Sequence, residues 1–76
     1  MRAILDQIAK ERERQDIKWG QQNHENGYWL AILMEEVGEV AKAIVEGSGP
    51  STVRTELIHV AAVCVSWLEC MDRRRR

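Results

Sequence analysis

Little in this sequence commits it to a membrane, an oxidising compartment or a polyanion. Its longest apolar run, Leu57 to Leu68, is twelve residues and contains His59 and Ser66. A bilayer span needs about 20 apolar residues, so no crossing is expected. Met1 to Arg14 is charged where a signal peptide would be apolar. Cysteine is scarce: Cys64 and Cys70 lie six residues apart on one predicted helix and form no metal-binding spacing. Side chains six apart on a helix do not face each other, so both are expected to be reduced thiols in a cytoplasmic protein. A net charge of -1 gives no general attraction to nucleic acid or lipid. The one concentrated charge is Arg73 to Arg76. Four arginines can bind phosphate, but a short basic end reads first as solvated, and nucleic acid is not an expected partner.

No low-complexity tract interrupts the chain, so residues 1–76 read as one domain. A chain this short buries a thin core, and small domains of this kind usually lean on a metal, a disulfide or a partner subunit.

The hydrophobic spacing predicts an all-α chain of three helices, at about 1–16, 28–46 and 51–72. The first has Ile4, Leu5 and Ile8 on one side and a solvated end from Lys10 to Arg14. Gly20 and Asn26-Gly27 are turn signals, so residues 17–27 read as a loop. That loop carries Lys18, Trp19, His24 and several amides. Such groups stack on a base, neutralise a phosphate and hydrogen-bond ring edges. The plainer alternative is that Trp19 plugs the loop onto the core.

In the second helix Leu30, Leu33, Met34, Val37, Val40, Ala41, Ile44 and Val45 share one arc, with Glu35, Lys42 and Glu46 facing water. Glu36 and Glu39 fall beside each other on a half-buried flank, and Gly38 could admit a close neighbour. Gly47-Ser48-Gly49-Pro50 is the stop, and Ser51 the expected N-cap of the third helix. That helix is apolar nearly all round, from Val53 through Met71. Two other helices cannot cover it, which predicts a homodimer or a higher homo-oligomer such as a homotetramer.

Within that apolar helix, Glu56 and His59 stand at i and i+3. A buried carboxylate is costly unless paired or bound to a metal. If the second and third helices pack antiparallel, Glu36, Glu39, Glu56 and His59 converge. Several carboxylate oxygens around one point suit Mg2+ or Mn2+. A di-iron site needs Glu-x-x-His on two helices, and this chain offers one. The alternative is ordinary solvation of a glutamate-rich helix.

These stretches together resemble the MazG-like nucleotide pyrophosphohydrolases of the all-α NTP pyrophosphatase superfamily. The resemblance runs from about Arg14 to Leu68. It is carried by Arg14-Gln15-Asp16-Ile17-Lys18-Trp19-Gly20, by Glu35-Glu36-x-x-Glu39, and by Glu56-Leu57-Ile58-His59-Val60-Ala61-Ala62. The family pattern is EExxE, a spacer and ExxD; sixteen residues separate Glu39 from Glu56. The resemblance implies a helical-bundle homo-oligomer and Mg2+-dependent hydrolysis of a nucleoside triphosphate to a monophosphate and pyrophosphate. By position, Glu36, Glu39 and Glu56 would be metal ligands. Glu35 would be an outer carboxylate or a group orienting the attacking water, and either Glu35 or Glu39 the proton acceptor. Lys18 and Trp19 would contact phosphate and base.

One position departs from the pattern: the family's final Asp is His59. Imidazole is a poorer Mg2+ ligand and adds no negative charge. The site would keep Mg2+ on three carboxylates, prefer Mn2+, or serve a helical module that binds nucleotide without turnover.

Overall fold

The computed structural model describes residues 1–74 and contains three helices, α1 (Arg2–Trp19), α2 (Asn26–Val45) and α3 (Pro50–Arg74), with no strand among the described residues. The all-α expectation holds, and the ends of the helices differ from it in instructive ways. α1 runs on through Lys18 and Trp19, because Asp16, Ile17, Lys18 and Trp19 contain no breaker. It stops at Gly20, whose φ of 71° suits glycine and whose N–H closes on the Asp16 carbonyl at 2.8 Å. Asn26-Gly27 is not a turn but the first two residues of α2, after an extended Glu25. The turn chemistry sits instead at Gly47 and Gly49, both with positive φ. Pro50 opens α3 rather than closing α2. Proline is favoured at a first helical position because its missing N–H would have no partner there. Ser51 therefore lies inside the helix, and the Gly49 carbonyl accepts the Val53 N–H at 3.2 Å. Of the arginine run, residues 75 and 76 lie outside the described residues.

α2 and α3 form an antiparallel hairpin. Asn26 at the start of α2 accepts a hydrogen bond from Trp67 Nε1 at 3.0 Å, near the far end of α3. Trp29, 1% exposed, packs with Val63 and Cys70, flanked by Ile32, Leu33 and Trp67. α1 follows α3 in the same direction: Gln7 meets Arg54, and further along Glu11 faces His59. No residue of α1 is buried.

The connection 20–25 crosses the end of the hairpin and is tied to α3. Arg73 donates to the Gln22 carbonyl at 2.9 Å and to Asn23 Oδ1, and the Cys70 thiol faces the His24 carbonyl at 3.7 Å. The His24 ring packs against Tyr28 and Trp29, with centroids 4.4 and 5.0 Å away.

The apolar arc expected to form the core face of α2 is largely turned outward: Leu30, Met34, Val37, Ile44 and Val45 are exposed. The face that packs carries Trp29, Ile32, Glu36 and Ala43 instead. On α3, Leu57, Val65, Leu68 and Met71 are exposed as well. A Cβ at Gly38 would meet nothing within 4 Å, so no close approach is made there within one chain. No helix is long and apolar enough to cross a membrane among the described residues.

Candidate metal centre and adjoining cavity

Antiparallel packing brings Glu36 on α2 against Glu56 and His59 on α3. One ligand atom from each lies within 4.8 Å of the others. Glu56 and His59 are neighbours at i and i+3, with Nδ1 3.4 Å from Glu56 Oε2 and 3.9 Å from Glu36 Oε2. Opposite ligands of an octahedral Mg2+ stand about 4.2 Å apart, from bonds of about 2.1 Å. Small side-chain rotations would therefore close these three groups on one divalent cation, and the set fits. The donor types, two carboxylates and an imidazole, suit Mn2+ and its neighbours better than Mg2+.

Burial holds Glu36 above the usual carboxylate range. A protonated His59 would oppose that shift, while Glu56, Glu35 and Glu39 add to it. A carboxylate that pays to be charged gains most from a cation.

Glu39 is exposed, one turn along α2 from Glu36, contrary to the half-buried flank its spacing suggests. It borders a small groove of about 110 Å³ together with Glu56, Lys42 and Thr52. Glu35 is exposed. The structure thus joins Glu36, Glu56 and His59 tightly, and leaves Glu39 at the edge and Glu35 outside.

A larger cavity of about 330 Å³ opens between α1 and the hairpin, with Glu36 and His59 at one end. Trp29, Ile32 and Val63 give it an apolar floor, and Trp19, Gly20 and Gln22 line the other end. Trp19 is 54% exposed and so is not the core plug of the plainer reading. Lys18 is exposed, with Nζ 4.6 Å from the Trp19 ring centroid. It does not line the cavity.

α1 contributes groups that sequence reasoning passed over. Glu11, Arg12, Arg14 and Gln15 line this cavity. Glu11 belongs to the charged stretch that predicts a solvated end, yet its side chain is only 11% exposed. Arg14 donates to Glu11 at 2.8 and 2.7 Å and Gln15 donates at 3.1 Å. The Arg14 hydrogen bonds hold the Glu11 carboxyl below its usual range, against the opposing effect of burial. Its Oε2 faces His59 Nε2 at 3.8 Å. A signal was present: Ile4, Ile8, Glu11 and Gln15 continue one stripe of α1, the side that meets α3.

No protein-family model, curated protein or solved structure matches this chain.

Proposed function

We propose that this chain is a MazG-like nucleoside triphosphate pyrophosphohydrolase, converting a (d)NTP to the (d)NMP and pyrophosphate. The observation that carries the reading is the meeting of Glu36, Glu56 and His59, of which Glu36 and His59 line a cavity that Trp19 and Trp29 also line. The Glu-Glu-x-x-Glu and Glu-x-x-His stretches support it through their resemblance to the family. A bound Mg2+ or Mn2+ would neutralise phosphate oxygens and acidify water. Glu36, Glu56 and His59 would hold that cation. Glu39 is the better proton acceptor of the two candidates, because it shares a groove with Glu56 whereas Glu35 does not. The base would lie along the apolar floor against Trp19, with Gln15, Gln22 and Asp16 at its edge. Lys18, beside Trp19 and outside the cavity, would flank the end that takes the base rather than the phosphates.

The outward apolar face fits the same reading. Leu30, Met34, Val37, Ala41 and Ile44 recur at four- and three-residue steps on α2, and Leu57, Ala61, Cys64, Leu68 and Met71 do so on α3. None of the ten is buried, and none lines the cavity under α1. Steps of this kind pack helices into bundles. A second copy of the chain is the occupant we infer, giving a helical-bundle homodimer or homotetramer.

One observation favours a second reading, a nucleotide-binding module without turnover: Glu39, a family ligand, stands exposed outside the tight group. Product analysis on a panel of NTPs and dNTPs, with Mg2+, Mn2+ or chelator, separates the two. Pyrophosphate and monophosphate in equal amounts, only with cation, is the expected result. Glu36→Gln should cut the rate at least about 100-fold, the scale on which electrostatic groups act in catalysis. Nucleotide binding by the folded protein without release of pyrophosphate would favour the binding module.

A further inference from the structure

His59 is the position at which this chain departs from its family, and the two nitrogens of its ring face different groups. Nδ1 looks toward the carboxylates of Glu56 and Glu36, at 3.4 and 3.9 Å. Nε2 looks the opposite way, toward Glu11 Oε2 on α1 at 3.8 Å. Glu11 is itself fixed, because Arg14 clamps both its oxygens and Gln15 holds Oε2. Its oxygens retain lone pairs for another donor. At 3.8 Å the contact is electrostatic, longer than a hydrogen bond.

A histidine that ligates a metal through one nitrogen commonly donates the N–H of the other to a carboxylate. That partner fixes the tautomer and makes the ligating nitrogen a better donor. We propose that Glu11 is a positioning residue that fixes His59 with its proton on Nε2 and its Nδ1 lone pair toward Glu36 and Glu56. The site is thereby built for a nitrogen-accepting cation of the Mn2+ class in preference to Mg2+. The inference rests on reading Glu36, Glu56 and His59 as a cation site. It adds a fourth residue, from a third helix, and a metal preference. It also gives α1 a purpose: without α1, the imidazole has no fixed partner behind it.

The chemistry makes the pair interdependent. An aspartate at position 59 would bind Mg2+ through oxygen and would have no second nitrogen for Glu11 to orient. Removing Glu11 should therefore matter only while His59 is present.

The test is cation binding by the whole chain without nucleotide. Mn2+ and Mg2+ affinities are measured by calorimetry, and nitrogen ligation by pulsed electron paramagnetic resonance on the Mn2+ form. Circular dichroism melts show that each variant is folded. The wild-type protein should bind Mn2+ more tightly than Mg2+ and show imidazole nitrogen coupling. Glu11→Ala should weaken Mn2+ binding about 10-fold or more, the scale of losing such a partner. Glu11→Gln, which keeps an acceptor but not its charge, should fall between. His59→Asp should abolish the nitrogen coupling and shift preference toward Mg2+. In that background Glu11→Ala should change Mn2+ affinity by less than about 2-fold, the non-additivity that marks two groups acting as one.

Bound Mn2+ without nitrogen coupling would overturn the proposal and leave a carboxylate cation site standing. Equal losses from Glu11→Ala in both backgrounds would remove Glu11 from the role. If neither cation binds, the proposal and the cation reading fall together. Nitrogen coupling and a His59-dependent effect of Glu11, without any pyrophosphate release, would sustain the proposal while ending the pyrophosphohydrolase reading.

Discussion

α3 has two neighbours and meets them in opposite ways. Toward α2 it presents Val63 and Cys70 around a buried Trp29. Toward α1 it presents ionic and polar groups: Glu69 takes the Arg12 guanidinium at 2.9 and 2.7 Å, Arg54 donates to Gln7, and His59 faces Glu11. Apolar burial scales with area and resists salt, whereas half-exposed ion pairs contribute about 0–1 kcal/mol each and are screened. The hairpin is therefore the part that holds the molecule together. α1 is a loosely bound wall that encloses the cavity. The difference places the Glu36–Glu56–His59 group where the two regimes meet: Glu36 and Glu56 on the hairpin, and their neighbour His59 facing the softer wall.

Cutting each interface once should have unequal consequences. Trp29→Ala should cost about 3–5 kcal/mol, the usual range for emptying an aromatic site in a core. That is a large share of the stability of a domain this size, and denaturant unfolding should show the whole chain lost. Arg12→Ala removes the clamp to Glu69 and Asp16 and should cost about 1 kcal/mol. Its signature is local: hydrogen exchange should speed up in α1 amides and leave those of α2 and α3 near wild type. Equal global losses from the two variants would show that α1 is integral to the core after all.

The outward side of the hairpin offers the next test. Leu68 is 59% exposed in the single chain. If a second copy covers this seam, Leu68→Glu should turn the oligomer into a monomer in sedimentation, with a melting temperature that no longer depends on concentration. A wild-type protein that sediments as a monomer would remove the bundle from the functional reading.

The helices and the meeting of Glu36 with Glu56 and His59 were legible because both follow from local periodicity plus one antiparallel packing step. The three-residue spacing of Glu56 and His59 puts them on one stripe whatever else the chain does. Which apolar face of α2 turns inward was not legible. With eight apolar residues on one arc, burial strength alone favours that arc, yet Leu30, Met34, Val37, Ala41, Ile44 and Val45 are exposed in the single chain. The loop reading failed at both ends because helix propagation continues until a residue stops it. Gly20 does so, and Asn26-Gly27, at a helix start rather than a hairpin, does not. Glu11 escaped notice because its charge spoke for solvent, while its place on the Ile4–Ile8 stripe spoke for contact.

The smallest effect expected is in the pH dependence of stability without metal, and it has opposite signs on the two sides of His59. Burial raises Glu36 above its unfolded value, so the folded chain binds that proton more tightly than the unfolded chain. Its contribution is fully present below the ordinary carboxylate range and is lost as pH rises through the raised value. Arg14 lowers Glu11, so the Glu11 contribution is present above the ordinary range and is lost as pH falls through the lowered value. Glu36→Gln should then stabilise the chain near neutral pH in chelator, an advantage that shrinks on acidification as the native Glu36 takes up its proton. Glu11→Gln should destabilise it near neutral pH, with the deficit vanishing in acid. Urea midpoints from about pH 3 to about pH 8, spanning the carboxylate range, read both curves. Curves of the same sign would mean that the hairpin and the α1 wall treat their carboxylates alike, and that the boundary drawn at His59 is in the wrong place.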